Sequence, residues 1–285
     1  MGRIVVGVDG SAIADRALRW AVDEAVLRGA ELELVLGYVL QVHAPQSESS
    51  RDIAELRMHA TVERSADLLQ RVTWKTVLSP LLGRPYADAV LDAGDDADLI
   101  VVGSRGLGGF RELLLGSTSY RVAAHAAAPV AVVRGDQVPY SEACRGIVVG
   151  VDGSRAAGRA LQWALDEAAL RGVELTVVHG YFAPSEALLS GLASPEQIEA
   201  ERTGAHDRAQ ALLDTVIGAV AVPEGVAVTP RVVPGTAAGA LLAAATPEHL
   251  TVVGTRGYGG IRRTVVGSTS HQVLHHAPGP VVVVP

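Results

Sequence analysis

Cysteine is almost missing from this chain. Cys144 is the only one in 285 residues, so no disulfide framework and no cysteine-based zinc site can form within one copy. It reads as an ordinary residue of a connecting stretch. Aromatic residues make up only 4%, which leaves Val, Leu, Ile and Ala to build the core. Positive charge is in deficit, with a formal net charge of -7. That argues against a general DNA- or RNA-binding surface, although not against a local basic site. No apolar run reaches the roughly 18 residues that a bilayer span requires. The chain opens on a strand-like run from Arg3 to Asp9 rather than on a charged region and a leader-length apolar stretch, so no secretory signal is expected. Val6 stands where a myristoylation pattern needs Ser or Thr. The expectation is a soluble cytoplasmic protein that binds neither nucleic acid nor membrane. Two phosphate signatures are missing as well. No Gly-x4-Gly-Lys-Ser/Thr occurs, and no Gly-x-Gly-x-x-Gly follows the first strand. This excludes a P-loop NTPase and argues against a dinucleotide fold.

What is present is a sequence written twice. Val-Val-Gly-Val-Asp-Gly-Ser at Val5 to Ser11 returns at Val148 to Ser154. Arg16-Ala-Leu-Arg-Trp-Ala matches Arg159-Ala-Leu-Gln-Trp-Ala, and each half closes with a proline and a valine strand, at Pro129 to Val133 and Pro280 to Val284. Such self-similarity marks duplication of a whole domain rather than a short solenoid period. The polar stretch Gly135 to Arg145 is the join, giving domains at 1–138 and 145–285. At 48% apolar and 19% charged residues, each half can bury a core. Near-continuous apolar runs predict strands at 3–8, 32–39, 74–78, 98–103 and 130–134, and again at 146–151, 174–181, 226–233, 249–254 and 281–284. Strands that read this way are covered on both faces. Helices are expected at 11–28, 50–71, 85–94 and 117–126. In the second half Ser194, Pro195 and Gln197 give a capping-box start. Strands alternating with helices predict an α/β fold with right-handed crossovers: two tandem open parallel five-stranded sheets flanked by helices, Rossmann-like.

The motif that carries chemistry follows the fourth strand of each half. Gly103-x2-Gly106-x9-Gly116-Ser117 recurs as Gly254-x2-Gly257-x9-Gly267-Ser268. Glycines let a backbone take positive φ and approach an anion closely, and the exposed N–H groups of such a turn form a nest for it. Gly116-Ser117-Thr118 and Gly267-Ser268-Thr269 open the next helix, where unpaired donors and the helix dipole favour phosphate. The bland alternative is that these glycines only make tight turns. The first strand ends in Asp9-Gly10-Ser11, and its repeat in Asp152-Gly153-Ser154. Each aspartate either accepts hydrogen bonds from ribose hydroxyls or merely caps the following helix. Arg105 and Arg256, between the loop glycines, either clamp phosphates or sit solvated. Arg111 and Arg262 are weaker candidates for the same role.

With these residues in view, the chain resembles the tandem form of the universal stress protein family. The resemblance rests on the Val-Gly-Val-Asp-Gly-Ser start, the Gly-x2-Gly-x9-Gly-Ser loop and the closing His-Ala-x-x-Pro-Val, and it covers nearly all of both halves. It implies ATP at the strand ends, with or without Mg2+. It implies that Asp9 and Asp152 meet the ribose, and that Gly103, Gly106, Gly116, Ser117, Thr118, Gly254, Gly257, Gly267, Ser268 and Thr269 hold the phosphates. Backbone groups near Tyr38 and Tyr181 would meet adenine. The last strands would pair antiparallel within the chain, giving a pseudo-twofold monomer able to associate further as a homodimer. The function so implied is regulatory: ATP occupancy sets conformation or assembly, with unidentified protein partners. A slow Mg-dependent ATPase or phosphotransferase, and an interaction scaffold with structural nucleotide, are the alternatives.

The remaining polar residues read as structural. His125 and His276 fall in the last turn of the final helix of each half, where imidazole meets terminal carbonyls. The neighbours His275 and His276 point to different helix faces and make no natural metal pair. Trp20 and Trp163 read as packing residues. Two departures set the halves apart. His249 stands where the first half has Asp98, and 19 residues separate Gly235 from Gly254 against 20 from Gly83 to Gly103.

Overall fold

The computed structural model describes residues 2–40, 50–106, 115–134, 144–182, 194–255 and 266–285. The first half runs β1 (Arg3–Gly7), α1 (Ala12–Arg28), β2 (Glu31–Val39), α2 (Ser50–Arg64), α3 (Ala66–Leu69), β3 (Trp74–Leu81), α4 (Ala87–Ala93), β4 (Leu99–Gly103), α5 (Ser117–His125) and β5 (Val130–Val133). The second runs β6 (Gly146–Gly150), α6 (Arg155–Arg171), β7 (Glu174–Tyr181), α7 (Pro195–Gly218), β8 (Val228–Pro234), α8 (Ala237–Ala244), β9 (His249–Gly254), α9 (Ser268–His276) and β10 (Val281–Val284). The helix expected over 50–71 is divided, because the backbone leaves helical geometry at Ser65 (φ -110°, ψ 11°).

The two five-stranded sheets expected from the sequence are one sheet here, joined by the antiparallel pairing of the last strands that the resemblance implied. All ten strands form one sheet in the order β3-β2-β1-β4-β5-β10-β9-β6-β7-β8. Within each half the neighbours are parallel. The halves join through one antiparallel pair, β5 with β10, in the register Val281↔Val132, Val282↔Ala131, Val283↔Val130. Pairing these valine strands removes two apolar edges that would otherwise template aggregation. The outermost strands, β3 and β8, are the ones that contain Pro80 and Pro230, where a missing N–H does least harm to the ladder.

Side chains alternate across the sheet. Ile4 and Val6 join Leu18, Trp20 and Ala21 in a core on the α1 and α6 face. Val5 joins Val90, Val122 and Leu274 in a core on the opposite face, under α4, α5, α8 and α9. Helices begin and end where their caps dictate. Ser11 Oγ accepts the Ala14 N–H at 3.1 Å, and Gly29 closes α1 at φ 60°. Ser154 and Gly172 repeat both ends on α6. The capping box foreseen at Ser194 and Gln197 is formed on α7. Among the described residues no helix is long and apolar enough to cross a membrane.

Where α1 meets α6, four charges close a ring between the halves. Glu24 and Glu167 are buried, and Arg28 and Arg171 each bind both carboxylates. Burial pushes the Glu24 carboxyl above its ordinary range, against the pull of the Arg171 guanidinium. Trp20 is buried in the core as expected, while Trp163 carries the Arg28 guanidinium over its ring at 5.8 Å.

Candidate functional site

In each half the chain leaves the central strand in both directions. From β1 it winds outward to β2 and β3, then returns to place β4 on the other side. Such a reversal opens a crevice at the carboxyl ends of the two strands, where ligands bind in open α/β sheets. In the first half that crevice lies between the ends of β1 and β4, and in the second between β6 and β9.

The β1 side is a tight turn. Gly10 and Gly153 take φ of 84° and 82°, a left-handed conformation that glycine adopts without steric cost. Asp9 Oδ1 accepts the Ser11 N–H at 2.9 Å, and Asp152 Oδ1 accepts the Ser154 N–H at 2.9 Å. The cap of the following helix is therefore Ser11 or Ser154, not the aspartate. Asp9 braces the turn with Oδ1 and presents Oδ2 toward the β4 loop. A Cβ placed on Gly106 would lie 2.4 Å from Asp9 Oδ2. Two candidates nearly a hundred residues apart in sequence thus meet across the crevice.

The β4 side has a pinched loop. The Ser104 N–H donates to the Val133 carbonyl at 2.8 Å and the Ser104 carbonyl accepts the Gly116 N–H at 2.7 Å. Thr255 does the same with Val284 and Gly267, both at 2.8 Å. Gly103 and Gly254 also have a packing duty. A Cβ on Gly103 would stand 3.1 Å from the Ile13 carbonyl oxygen, and one on Gly254 2.8 Å from that of Ala156. They admit the first turn of α1 or α6 against the strand end, and so shape the crevice by packing. Gly116 and Gly267 then cap α5 and α9 without a side-chain acceptor. The positive ends of two helices, with Ser117 and Ser268 exposed and Thr118 and Thr269 half-buried, face the crevice side of the sheet.

Sequence reasoning missed Ser119 and Ser270. Their hydroxyls are buried and donate to the Gly103 and Gly254 carbonyls at 2.5 and 2.6 Å. The signal lay in the repeated Gly-Ser-Thr-Ser, whose last residue had no assigned task. Arg84 and Arg121 donate to Asp88, which ties α5 to α4.

The expected adenine wall is less uniform. β2 runs four residues past Val35, the last residue paired with β1. Tyr38 is buried in the core. Tyr181 is half-buried, its ring edge-on to His206 with centroids 5.9 Å apart, and its carbonyl accepts the Gly235 N–H at 2.8 Å. His179 Nδ1 lies 2.8 Å from the Val151 carbonyl, beside Asp152; the matching residue of the first half is the buried Leu36. Arg256 and Gly257, like Arg111 and Arg262, lie outside the described residues. Asp98 and His249 stand at the amino ends of β4 and β9, opposite the crevice. His125 Nδ1 meets the Arg121 carbonyl at 2.8 Å, the structural contact foreseen for it. Among the described residues no group of three or more His, Cys, Asp or Glu is placed to hold a metal ion.

Comparison with known proteins adds three findings. The sequence profile described as the universal stress protein family matches residues 1–134 and 144–285. A universal stress protein of Mycolicibacterium smegmatis is 34% identical over 294 residues, covering 99% of this chain and 96% of that protein. One from Mycobacterium tuberculosis is 31% identical over 290 residues, covering 98% and 96%. Among solved structures, a universal stress protein from Archaeoglobus fulgidus superposes with a TM-score of 0.63 at 22% identity, covering 99% of this chain and 97% of that one, a likeness of fold.

Proposed function

The chain belongs to the universal stress protein family, and from that premise we propose that each half, 1–138 and 145–285, holds one adenine nucleotide, ATP, whose occupancy regulates conformation or assembly. The observation that carries this reading is the meeting of Asp9 with Gly106 beneath the glycine-capped start of α5. It brings an acceptor for ribose hydroxyls against a loop whose backbone can lie close to an anion. The second half repeats the aspartate turn, the pinched loop and the buried serine.

In this reading Asp9 and Asp152 orient the ribose, and the loop amides and the first turns of α5 and α9 hold the phosphates. Ser117, Thr118, Ser268 and Thr269 add hydroxyl donors, and the strand ends near Tyr38 and Tyr181 border the base. The β5–β10 pair makes the two halves a pseudo-dimer within one chain, leaving homodimer formation and other protein partners to outer surfaces.

Native mass spectrometry of the purified chain, followed by ATP titration of the stripped protein, tests the proposal. The expected result is two nucleotides per chain. Gly106→Val should reduce this to one, because the new side chain occupies the space before Asp9 Oδ2, with melting changed by no more than a few degrees. Absence of ATP binding by the unmutated chain would refute the nucleotide assignment.

A further inference from the structure

The halves differ at the residue that follows the last strand. Arg134 follows β5, and aligning Ser104 with Thr255 and Val133 with Val284 puts Pro285 at the equivalent position. Because β10 runs antiparallel to β5, the carboxyl end of α9 lies at the end of the sheet where the first crevice opens. Arg134 reaches it there, donating from Nη1 to the Leu274 carbonyl and from Nη2 to the His275 carbonyl, the latter at 2.6 Å. These contacts hold the guanidinium in one place and suit the negative end of a helix.

The same residue adjoins the phosphate loop of its own half. The bond from Ser104 N–H to the Val133 carbonyl continues the β4–β5 ladder, so Ser104 runs beside Arg134 and Arg105 follows one residue on. The hydrogen-bond partners of the Arg134 guanidinium among the described residues are those two helix carbonyls. Burial, and next the positive charge of Arg105, lower the pKa of Arg134. A partly buried guanidinium held by neutral carbonyls, with a second positive charge in its field, lacks the counter-charge that burial ordinarily demands. Arg16 and Arg159 are matched across the halves and contribute no difference between them.

We propose that Arg134 is a charge-selecting residue of the first site alone, making that half prefer nucleotides with more phosphate groups than the second half does. The inference rests on the adenine-nucleotide reading above. Arg134 acts through its field on the phosphate chain, and an anion there neutralises the repulsion between Arg105 and Arg134.

The test uses the full chain with one site disabled at a time. Gly257→Val leaves the first site, and Gly106→Val leaves the second. Calorimetric titration with ATP and with AMP gives an affinity ratio for each. The first site should show the larger ATP/AMP ratio and the steeper loss of ATP affinity with added salt. Arg134→Gln retains a donor for the helix carbonyls and should weaken ATP at the first site by about tenfold, the scale of one charge acting at medium range. AMP affinity at that site, and ATP affinity at the second, should move less than about threefold. Arg134→Lys should recover most of the ATP preference. Equal loss for ATP and AMP, no loss, or failure of lysine to restore the ratio would overturn the charge-selecting role while leaving the nucleotide sites standing. Unchanged binding at the second site of the same variant rules out general misfolding. If the unmutated chain binds neither ligand, the nucleotide reading falls first and this proposal with it.

Discussion

Ser119 shows how much of the site is built by single polar atoms. Its hydroxyl is 3% exposed as part of a buried residue and donates to the Gly103 carbonyl at 2.5 Å, fixing the first turn of α5 to the end of β4. Ser119→Ala leaves that carbonyl without its donor and should lower stability by about 1–2 kcal/mol, measured by urea unfolding. ATP affinity should fall in the first half only, since Ser270 still anchors α9. Several such details were legible before any coordinates. The Asp-Gly-Ser turn was legible as special backbone, since Gly10 and Gly153 take the positive φ that favours glycine. The division of labour among the loop glycines was not legible. Which glycine faces a ligand and which faces a helix backbone depends on contacts between distant residues: Gly106 meets Asp9, whereas Gly103 meets Ile13. A capping role was the structural alternative for Asp9, and the geometry gives the cap to Ser11.

Elements follow the sequence pattern closely where hydrophobic runs and cap residues agree. β4 is buried throughout and flanked by strands on both sides, as its unbroken apolar run implied. Capped helices begin on the residues that their signals named. The break at Ser65 was hidden, since the stretch over 50–71 keeps good helix formers on both sides of it. Ion pairs between elements were equally hidden. Burial pushes the Asp88 carboxyl up, yet hydrogen bonds from Arg121 and Arg84 hold it below the ordinary value of 3.8. Arg121 lies on α5 and Asp88 on α4, so this carboxylate steadies the helix whose start faces the crevice. Its folded pKa is depressed. The stabilisation is therefore complete above pH 3.8 and is lost as pH falls through the lower folded value. Asp88→Asn should melt a few degrees below the parent at neutral pH, and the gap should close in strongly acidic buffer. A gap independent of pH would assign the loss to packing rather than to charge.

At the scale of the whole molecule, the sheet is continuous through the β5–β10 pair, and the charge ring lies over the seam between halves. Glu24 and Arg28 are four apart on one helix, as are Glu167 and Arg171 on another. Pairs at that spacing ordinarily lie on a helix surface. Duplication places them face to face, and each arginine then serves a carboxylate of both halves. Arg171 is 4% exposed and Glu24 0%, so removing one cation strands a carboxylate in the interior. Arg171→Met should cost about 3–5 kcal/mol. Replacing all four charges together, with leucine for Glu24 and Glu167 and methionine for Arg28 and Arg171, should restore stability to within about 2 kcal/mol of the parent or exceed it, because a packed apolar cluster carries no desolvation cost. The Glu24 carboxyl is already raised by burial, so its folded form holds a proton more readily than its unfolded form. The penalty of Arg171→Met should therefore be greatest at neutral pH and shrink as pH falls toward the ordinary carboxylate range. Urea unfolding of the single and quadruple variants at two pH values separates the outcomes. If the quadruple variant is as unstable as the single one, the ring contributes more than charge compensation: its directional hydrogen bonds hold α1 against α6, and with them the two crevices at the opposite ends of those helices.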